Sequence, residues 1–266
     1  MRVLLTRPSR EAKSWLQALE TAGKSPIALP LIEIAPVADL RPLVTAWRQI
    51  SDYQAIMFVS ANAVDFFFAG QPANPTPPFL DGAGSIRAWA TGPGTARALA
   101  RAGASARLMA LPGADALQFD SESLWAEVAG QVGARTRVLI VRGEDSGSVV
   151  AAGADGTGRD WLAKRILEAG GSVGFLVVYR RQVPIFTATQ QDQVRAASTD
   201  GSVWLFSSSQ AIANLTGSFP AQSWARARAI ATHPRIAQTA RDHGFGVVYE
   251  SRPAIADVIA SIESLA

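Results

Sequence analysis

The sequence contains no cysteine. That absence excludes disulfides, thiolate metal sites and a cysteine nucleophile. Only two histidines occur, His233 and His243, and no carboxylate cluster beside either one completes a metal-ligand spacing. Charged residues are also few, at 18% against 48% apolar residues, which excludes a disordered chain. No apolar run approaches the roughly 18 residues that a membrane span needs. The first run, Val3-Leu4-Leu5, passes at once into Thr6-Arg7-Pro8 and is too short for a secretory signal. A cytoplasmic location is therefore expected, and the sequon Asn214-Leu215-Thr216 carries no weight there. There is no Gly-Lys-Ser/Thr for a nucleotide P-loop, and no basic block with interleaved aromatics for nucleic acid.

What is present is enough for two ordinary domains, at 266 residues. A net charge of +3 suits a solvated surface with a slight arginine excess, or an anionic ligand. Strand, polar turn and helix alternate along the chain, the pattern of an α/β fold. Strands are predicted at 3–5, 55–59, 88–90, 138–141, 173–179, 203–206 and 229–231. Helices are predicted at 9–22, 64–68, 96–102, 121–129, 160–169, from 211, and at 236–243, with Gly23, Gly170-Gly171 and Gly244 as stops. Arg142-Gly143-Glu144 reads as the close of one strand, and Arg180-Arg181 as the interruption of another. Residues 71–80 and 145–157 read as loops. Pro30 and Pro36 suit an edge strand or connector.

An internal repeat organises these elements. Ala55-Ile-Met-Phe-Val-Ser-Ala-Asn-Ala-Val64 resembles Val203-Trp-Leu-Phe-Ser-Ser-Ser-Gln-Ala-Ile212. Ala90-Thr-Gly-Pro-Gly-Thr-Ala96 resembles Ala231-Thr-His-Pro-Arg-Ile-Ala237, and Val3-Leu-Leu-Thr-Arg-Pro8 resembles Val138-Leu-Ile-Val-Arg-Gly143. The strand ending in arginine comes first in one half and last in the other, so a tandem copy does not fit. One domain inserted into the other does, with crossings at 30–36 and 177–184. The expected fold is two similar parallel-sheet α/β domains joined by a two-stranded connector, one of residues 1–34 and 183–266, the other of 37–178.

Each repeated turn lies where a strand hands over to a helix. Ser60-Ala61-Asn62, Gly92 with Gly94 and Thr95, Ser207-Ser208-Ser209, and Thr232 with Arg235 are the candidate ligand-binding residues. Such turns leave N–H groups open at helix N-termini, on the sheet edge where open α/β sheets hold anionic ligands. A cleft between the two halves is the expected site. The same Ser, Thr and Asn residues also suit plain helix N-caps, and the glycines plain tight turns.

Taken together, these motifs resemble the uroporphyrinogen-III synthase family. The resemblance is carried by Leu5-Thr6-Arg7-Pro8, Pro30-Leu31-Ile32-Glu33, residues 58–64, Gly92-Pro93-Gly94-Thr95-Ala96, Leu139-Ile140-Val141-Arg142-Gly143, Tyr179-Arg180 and residues 231–244. It spans nearly the whole chain. It implies a lyase that closes linear hydroxymethylbilane, with its eight carboxylates, into uroporphyrinogen III with loss of water and inversion of ring D. It also implies a monomer without cofactor or metal, and a transient hand-over from the upstream bilane-forming enzyme. Tyr179 matches the family's cleft-facing tyrosine and becomes the candidate for assisting hydroxyl departure; an amphipathic aromatic in a connector strand is the other reading. Arg7 and Arg142 become candidates for neutralising carboxylates, or else ordinary ion-pairing or exposed arginines. His233 lines or supports its turn. The chain departs from the family pattern at Thr232-His233-Pro234-Arg235-Ile236, where relatives carry glycine before the proline and threonines after it. Residues 145–157 read as an insertion.

A non-catalytic two-lobed protein that binds or senses a polycarboxylate is the competing expectation. A nucleotide-sugar transferase would require acidic metal-binding or ribose-binding residues that the sequence does not offer.

Overall fold

The computed structural model describes residues 1–72, 86–113, 121–145 and 158–265. The chain divides into two compact units, one formed by Met1–Glu33 with Gln182–Ala266 and the other by Ile34–Arg181. In chain order the first unit opens with β1 (Arg2–Leu5), α1 (Ser9–Thr21) and β2 (Ser25–Ala28). The second follows with β3 (Glu33–Pro36), α2 (Arg41–Arg48), β4 (Ala55–Phe58), α3 (Ala61–Ala69), β5 (Arg87–Ala90) and α4 (Pro93–Arg101). It continues with β6 (Met109–Ala110), α5 (Ser121–Val128), β7 (Arg137–Asp145), α6 (Gly158–Glu168) and β8 (Ser172–Gln182). The first unit then resumes with α7 (Ala188–Ala197), β9 (Val203–Phe206), α8 (Ser209–Ser218), β10 (Arg228–Ala231), α9 (Pro234–Asp242), β11 (Val247–Glu250) and α10 (Ile255–Glu263).

The first sheet has the order β11-β10-β9-β1-β2 and the second β3-β8-β7-β4-β5-β6. The two chain crossings fall in β3 and β8, which are hydrogen-bonded neighbours. Gln182 Nε2 also donates to Glu33 Oε2 at 3.1 Å. The five strands of the first sheet, and β8 to β6 of the second, pair in parallel.

The sequence repeat is a structural repeat with the register kept. Val3 pairs with Val203 in one sheet and Val138 with Ala55 in the other. Trp204 pairs with Ala229, as Ile56 pairs with Ala88. The strands β1, β9 and β10 thus occupy the places of β7, β4 and β5. The second unit runs these elements in one continuous order, whereas the first unit begins within them and ends before β1.

Both sheets are buried on two faces, which explains their nearly unbroken apolar strands. In the second unit Ile56, Phe58, Ala88, Ala90, Leu139 and Val141 share one core with Trp47, Phe67 and Leu99 from α2, α3 and α4. Their neighbours in sequence, Ala55, Met57, Trp89, Val138 and Ile140, face Leu124, Val128, Leu162 and Ile166 from α5 and α6. In the first unit Val3, Leu5, Val203, Leu205 and Ile230 meet Leu19, Val258 and Ile262 from α1 and α10. The opposite face is aromatic: Trp204 stacks on Phe206 at 6.1 Å and meets the edge of Trp224 at 5.6 Å.

Helix ends follow one scheme in both units. After α1, α4, α6 and α9 the chain turns through Gly23, Gly103, Gly170 and Gly244, each with φ between +70° and +88°. After α1, for example, Gly23 N donates to Glu20 O and Lys24 N to Leu19 O, the paired bonds that satisfy the last carbonyls of a helix.

Three expectations are corrected. Arg142-Gly143-Glu144 does not close its strand: β7 continues to Asp145 through a register shift between Arg142 and Gly143. Arg180-Arg181 does not interrupt β8, which runs to Gln182. Arg180 lies on an exposed position opposite Glu144, and its Nε donates to Glu144 Oε1 at 2.6 Å, so the charge is accommodated within the ladder. Helices α4 and α9 begin at Pro93 and Pro234, two or three residues earlier than predicted, because a proline at the first helical position loses no hydrogen bond. Most of the 71–80 and 145–157 loop expectations lie outside the described residues.

Candidate active site

The candidate residues converge, within each unit, on the carboxyl edge of its parallel sheet. In the second unit, α3 starts after β4 with Ser60 as its N-cap, and Ser60 Oγ accepts from Ala63 N at 3.1 Å. Ala61 and Asn62 occupy the open first turn and are half-buried. One strand over, Gly92 caps α4, Gly94 is exposed and Thr95 is buried. Thr91 ties the two turns together: its Oγ1 donates to Val59 O at 3.2 Å and lies 3.4 Å from Thr95 Oγ1. Arg142 extends the group from β7, on the other side of β4.

The first unit repeats the arrangement. Ser207, Ser208 and Ser209 follow β9, and Ser208 is the N-cap of α8 without a side-chain cap bond. Thr239 Oγ1 donates to Ser209 Oγ at 3.0 Å, which links α8 to α9. Thr232 is buried, and its N–H donates to Phe206 O at 3.1 Å. Arg235 is exposed, and its backbone N–H is taken by His233 Nδ1 at 3.1 Å. His233 therefore supports its turn as the N-cap that Gly92 is in the other unit. The first N–H groups of a helix have no partner within the helix, so α3, α4 and α8 present donors to an anion, except where Ser60 takes that of Ala63; at α9 the donors are taken by His233 and Pro234 has none.

The two arginines are held by aromatic rings. The Arg7 guanidinium lies 4.2 Å from the Trp15 ring centroid, and that of Arg142 lies 5.0 Å from the Phe175 ring. Arg7 follows the end of β1, whereas Arg142 lies inside β7 because that strand continues past it.

Tyr179 differs most from expectation. Its side chain does not open to solvent but is fully buried, in the core of the second unit. The ring lies over Gly143, where a Cβ would overlap it, and stacks on Phe66 at 5.9 Å. Its hydroxyl lies 3.1 Å from Ser60 Oγ and accepts from Arg181 Nη2 at 3.1 Å. Sequence reasoning missed Thr91, Gly143 and Arg181 as parts of this group. The signal for Gly143 was its place in the Arg142-Gly143 motif; Arg181 had none beyond adjacency to Tyr179-Arg180.

Comparison with known proteins decides what this edge belongs to. The family described as uroporphyrinogen-III synthase HemD (HEM4) matches residues 13–260. The chain belongs to the uroporphyrinogen-III synthase family. It is similar to a uroporphyrinogen-III synthase of Chlorobaculum parvum, 31% identical over 191 residues, covering 71% of this chain and 67% of that protein. Its fold is similar to that of a mutant uroporphyrinogen III synthase of Thermus thermophilus, with a TM-score of 0.52 at 16% identity, over 100% and 98% of the two chains. A uroporphyrinogen-III synthetase of Helicobacter pylori gives a TM-score of 0.54 at 18% identity, over 90% and 92%. Membership of the uroporphyrinogen-III synthase family makes this chain a lyase-type enzyme of tetrapyrrole biosynthesis, and the non-catalytic reading is not favoured. No helix among the described residues is long and apolar enough to cross a membrane.

Proposed function

We propose that the strand-to-helix turns of both units hold the carboxylates of hydroxymethylbilane while the chain closes it to uroporphyrinogen III. The observation that carries this reading is the repetition of helix N-termini with open N–H groups on the carboxyl edge of each sheet, built from Ser60-Ala61-Asn62, Gly92-Gly94-Thr95 and Ser207-Ser208-Ser209, while the Thr232-Arg235 turn, whose N–H groups are taken by His233, would add the side chains of Thr232 and Arg235. A polycarboxylate suits such donors, with Arg7 and Arg142 adding charge.

The chemistry asks mainly for geometry. A pyrrolic carbinol loses its oxygen readily once that oxygen is protonated, because the ring nitrogen stabilises the cation. Unaided closure then attacks through the unsubstituted carbon of ring D. The type III isomer requires attack through the substituted carbon and a spiro intermediate. Carboxylates fixed on rigid backbone donors can impose that approach. Tyr179 assists departure of the hydroxyl. We further read the chain as a cytoplasmic monomer that receives its substrate by transient hand-over from the bilane-forming enzyme.

The test is to supply freshly prepared hydroxymethylbilane to the pure protein and resolve the uroporphyrinogen isomers. Isomer III in excess is expected. Isomer I alone, at the spontaneous rate, would sink the reading.

A further inference from the structure

Tyr179 is fully buried, yet the reaction it is assigned to takes place on a bound substrate. The hydrogen bonds around it show how a proton would leave. Arg181 has only donors to offer, so at the 3.1 Å contact the phenol oxygen is the acceptor. The phenol proton is then directed to the other neighbour, Ser60 Oγ, at 3.1 Å. Ser60 Oγ already accepts from Ala63 N–H at 3.1 Å. A serine hydroxyl has two lone pairs and one proton. With Ala63 and Tyr179 on the lone pairs, the serine proton points away from both. Ser60 is half-buried, at the mouth of the turn after β4.

The internal repeat supplies a control within the same chain. Ser208 occupies the place of Ser60, but its side chain makes no cap bond. Strand β2 ends at Ala28 opposite Leu5, whereas β8 continues beyond the matching pair of Ile140 and Phe175 as far as Gln182. That continuation carries both Tyr179 and Arg181. The phenol–serine pair therefore belongs to one unit alone and is not required for capping the helix.

We propose that Ser60 is the residue that touches the departing hydroxyl, and that Tyr179 and Arg181 are positioning residues acting through it. The inference rests on the synthase reading above. As the carbinol C–O bond breaks, its electron pair goes to oxygen, which takes the Ser60 proton and leaves as water. Ser60 Oγ takes the Tyr179 proton, and the Arg181 guanidinium stays hydrogen-bonded to the phenolic oxygen. After ring closure, the proton lost from the macrocycle returns along the same path, so the protein ends as it began.

Isomer-resolved kinetics on the full chain test this. Ser60→Ala and Tyr179→Phe are each expected to lower kcat for isomer III by about 10²-fold, with little change in KM. The double variant is expected to be no slower than the slower single, because the two groups act in series. Ser60→Asn keeps a capping acceptor at the start of α3 but has no hydroxyl, and is expected to be as slow as Ser60→Ala. Ser60→Thr keeps the hydroxyl and is expected to recover most of the lost rate. A Ser60→Ala or Ser60→Asn variant at full kcat, or losses that multiply in the double variant, would overturn the relay while leaving the synthase reading intact. Isomer I alone from the unmodified protein would instead remove the reading on which the relay rests.

Discussion

Substituting Gly143 by alanine tests the geometry around Tyr179 through packing alone. Gly143 does not have a positive φ, so alanine brings no backbone penalty of that kind. The whole effect comes from the added methyl, which would overlap the Tyr179 ring at Cε2 and Cζ and lie 2.8 Å from Cδ2. Such an overlap is relieved only if the ring moves, but the ring is backed by Phe66 and its hydroxyl is held by Ser60 and Arg181. Keeping the ring in place costs about 1–3 kcal/mol of overpacking. Swinging it away breaks two hydrogen bonds, each worth about 1 kcal/mol net and more where a charged group takes part. Either route gives a loss on the order of 2–3 kcal/mol, which for a unit of this size lowers the melting temperature by about 5–10 °C. Calorimetry on the full chain measures it. The same substitution made in a Tyr179→Ala background should cost less than about 0.5 kcal/mol, because nothing is left to overlap. A Gly143→Ala variant that melts with the unmodified protein, or one equally destabilised with and without the tyrosine ring, would refute the packing argument.

Two further perturbations address other parts of the molecule. Trp204→Ala removes a fully buried indole that packs on Phe206, Trp224 and Phe245 and donates to Ala197 O at 3.1 Å; denaturant titration should show a loss of about 3–5 kcal/mol, and a loss below about 1 kcal/mol would contradict this core. The Asp39 carboxyl is lowered from 3.8 to about 2 by hydrogen bonds from the Arg41 side chain and backbone. A carboxyl depressed on folding contributes stability above its unfolded value, and that contribution fades as pH falls toward about 2. Carbon-detected NMR titration should find Asp39 near 2, and Arg41→Gln should raise it toward 3.8.

The parts of this fold that were legible in sequence are those buried on both faces. Val3-Leu4-Leu5, residues 55–58, 138–141 and 203–206 are unbroken apolar runs because helices cover both sides of their sheets. The same burial kept their repeats recognisable. Of the strands at the sheet edges, β3 was expected as an edge strand or connector from its bracketing prolines, but β2, β6 and β11 were not legible. Strand β2 carries Ser25 and Pro26, and β11 is mostly exposed, so neither shows a buried strand's pattern. Helix α7 has little apolar stripe and was missed, although Thr187 and Gln190 form a capping box at its start. Helix α10 was missed as well, although Ile255, Val258, Ile259 and Ile262 are spaced as one helical face. At the candidate site the turns were readable because the same short patterns recur at strand-to-helix junctions in both halves, although each residue taken alone also suits a plain cap or turn. The burial of Tyr179 was not readable, since it depends on a glycine in a neighbouring strand and on a register shift that sequence does not display.

The repeat also constrains how the two units differ in function. Two copies with matching register offer the same strand-to-helix turns, so the anion anchoring we propose is a property of the shared architecture. Chemistry on the departing hydroxyl requires something only one copy has. The long β8, with Tyr179 and Arg181 beyond the point where β2 stops, is that difference, and it is also the strand in which the chain crosses back to the first unit. The extension therefore has two consequences at once. It belongs to the strand that is hydrogen-bonded to β3, where the chain first crosses, and it brings a phenol against Ser60 in a turn whose counterpart, Ser208, has no side-chain cap bond. Substitutions in the turns of the first unit should accordingly weaken substrate binding and isomer selection. Substitutions of Ser60, Tyr179 and Arg181 should lower the rate at saturating substrate. A first-unit variant such as Ser208→Ala that lowered kcat as far as Ser60→Ala does, with KM unchanged, would show that this division does not hold.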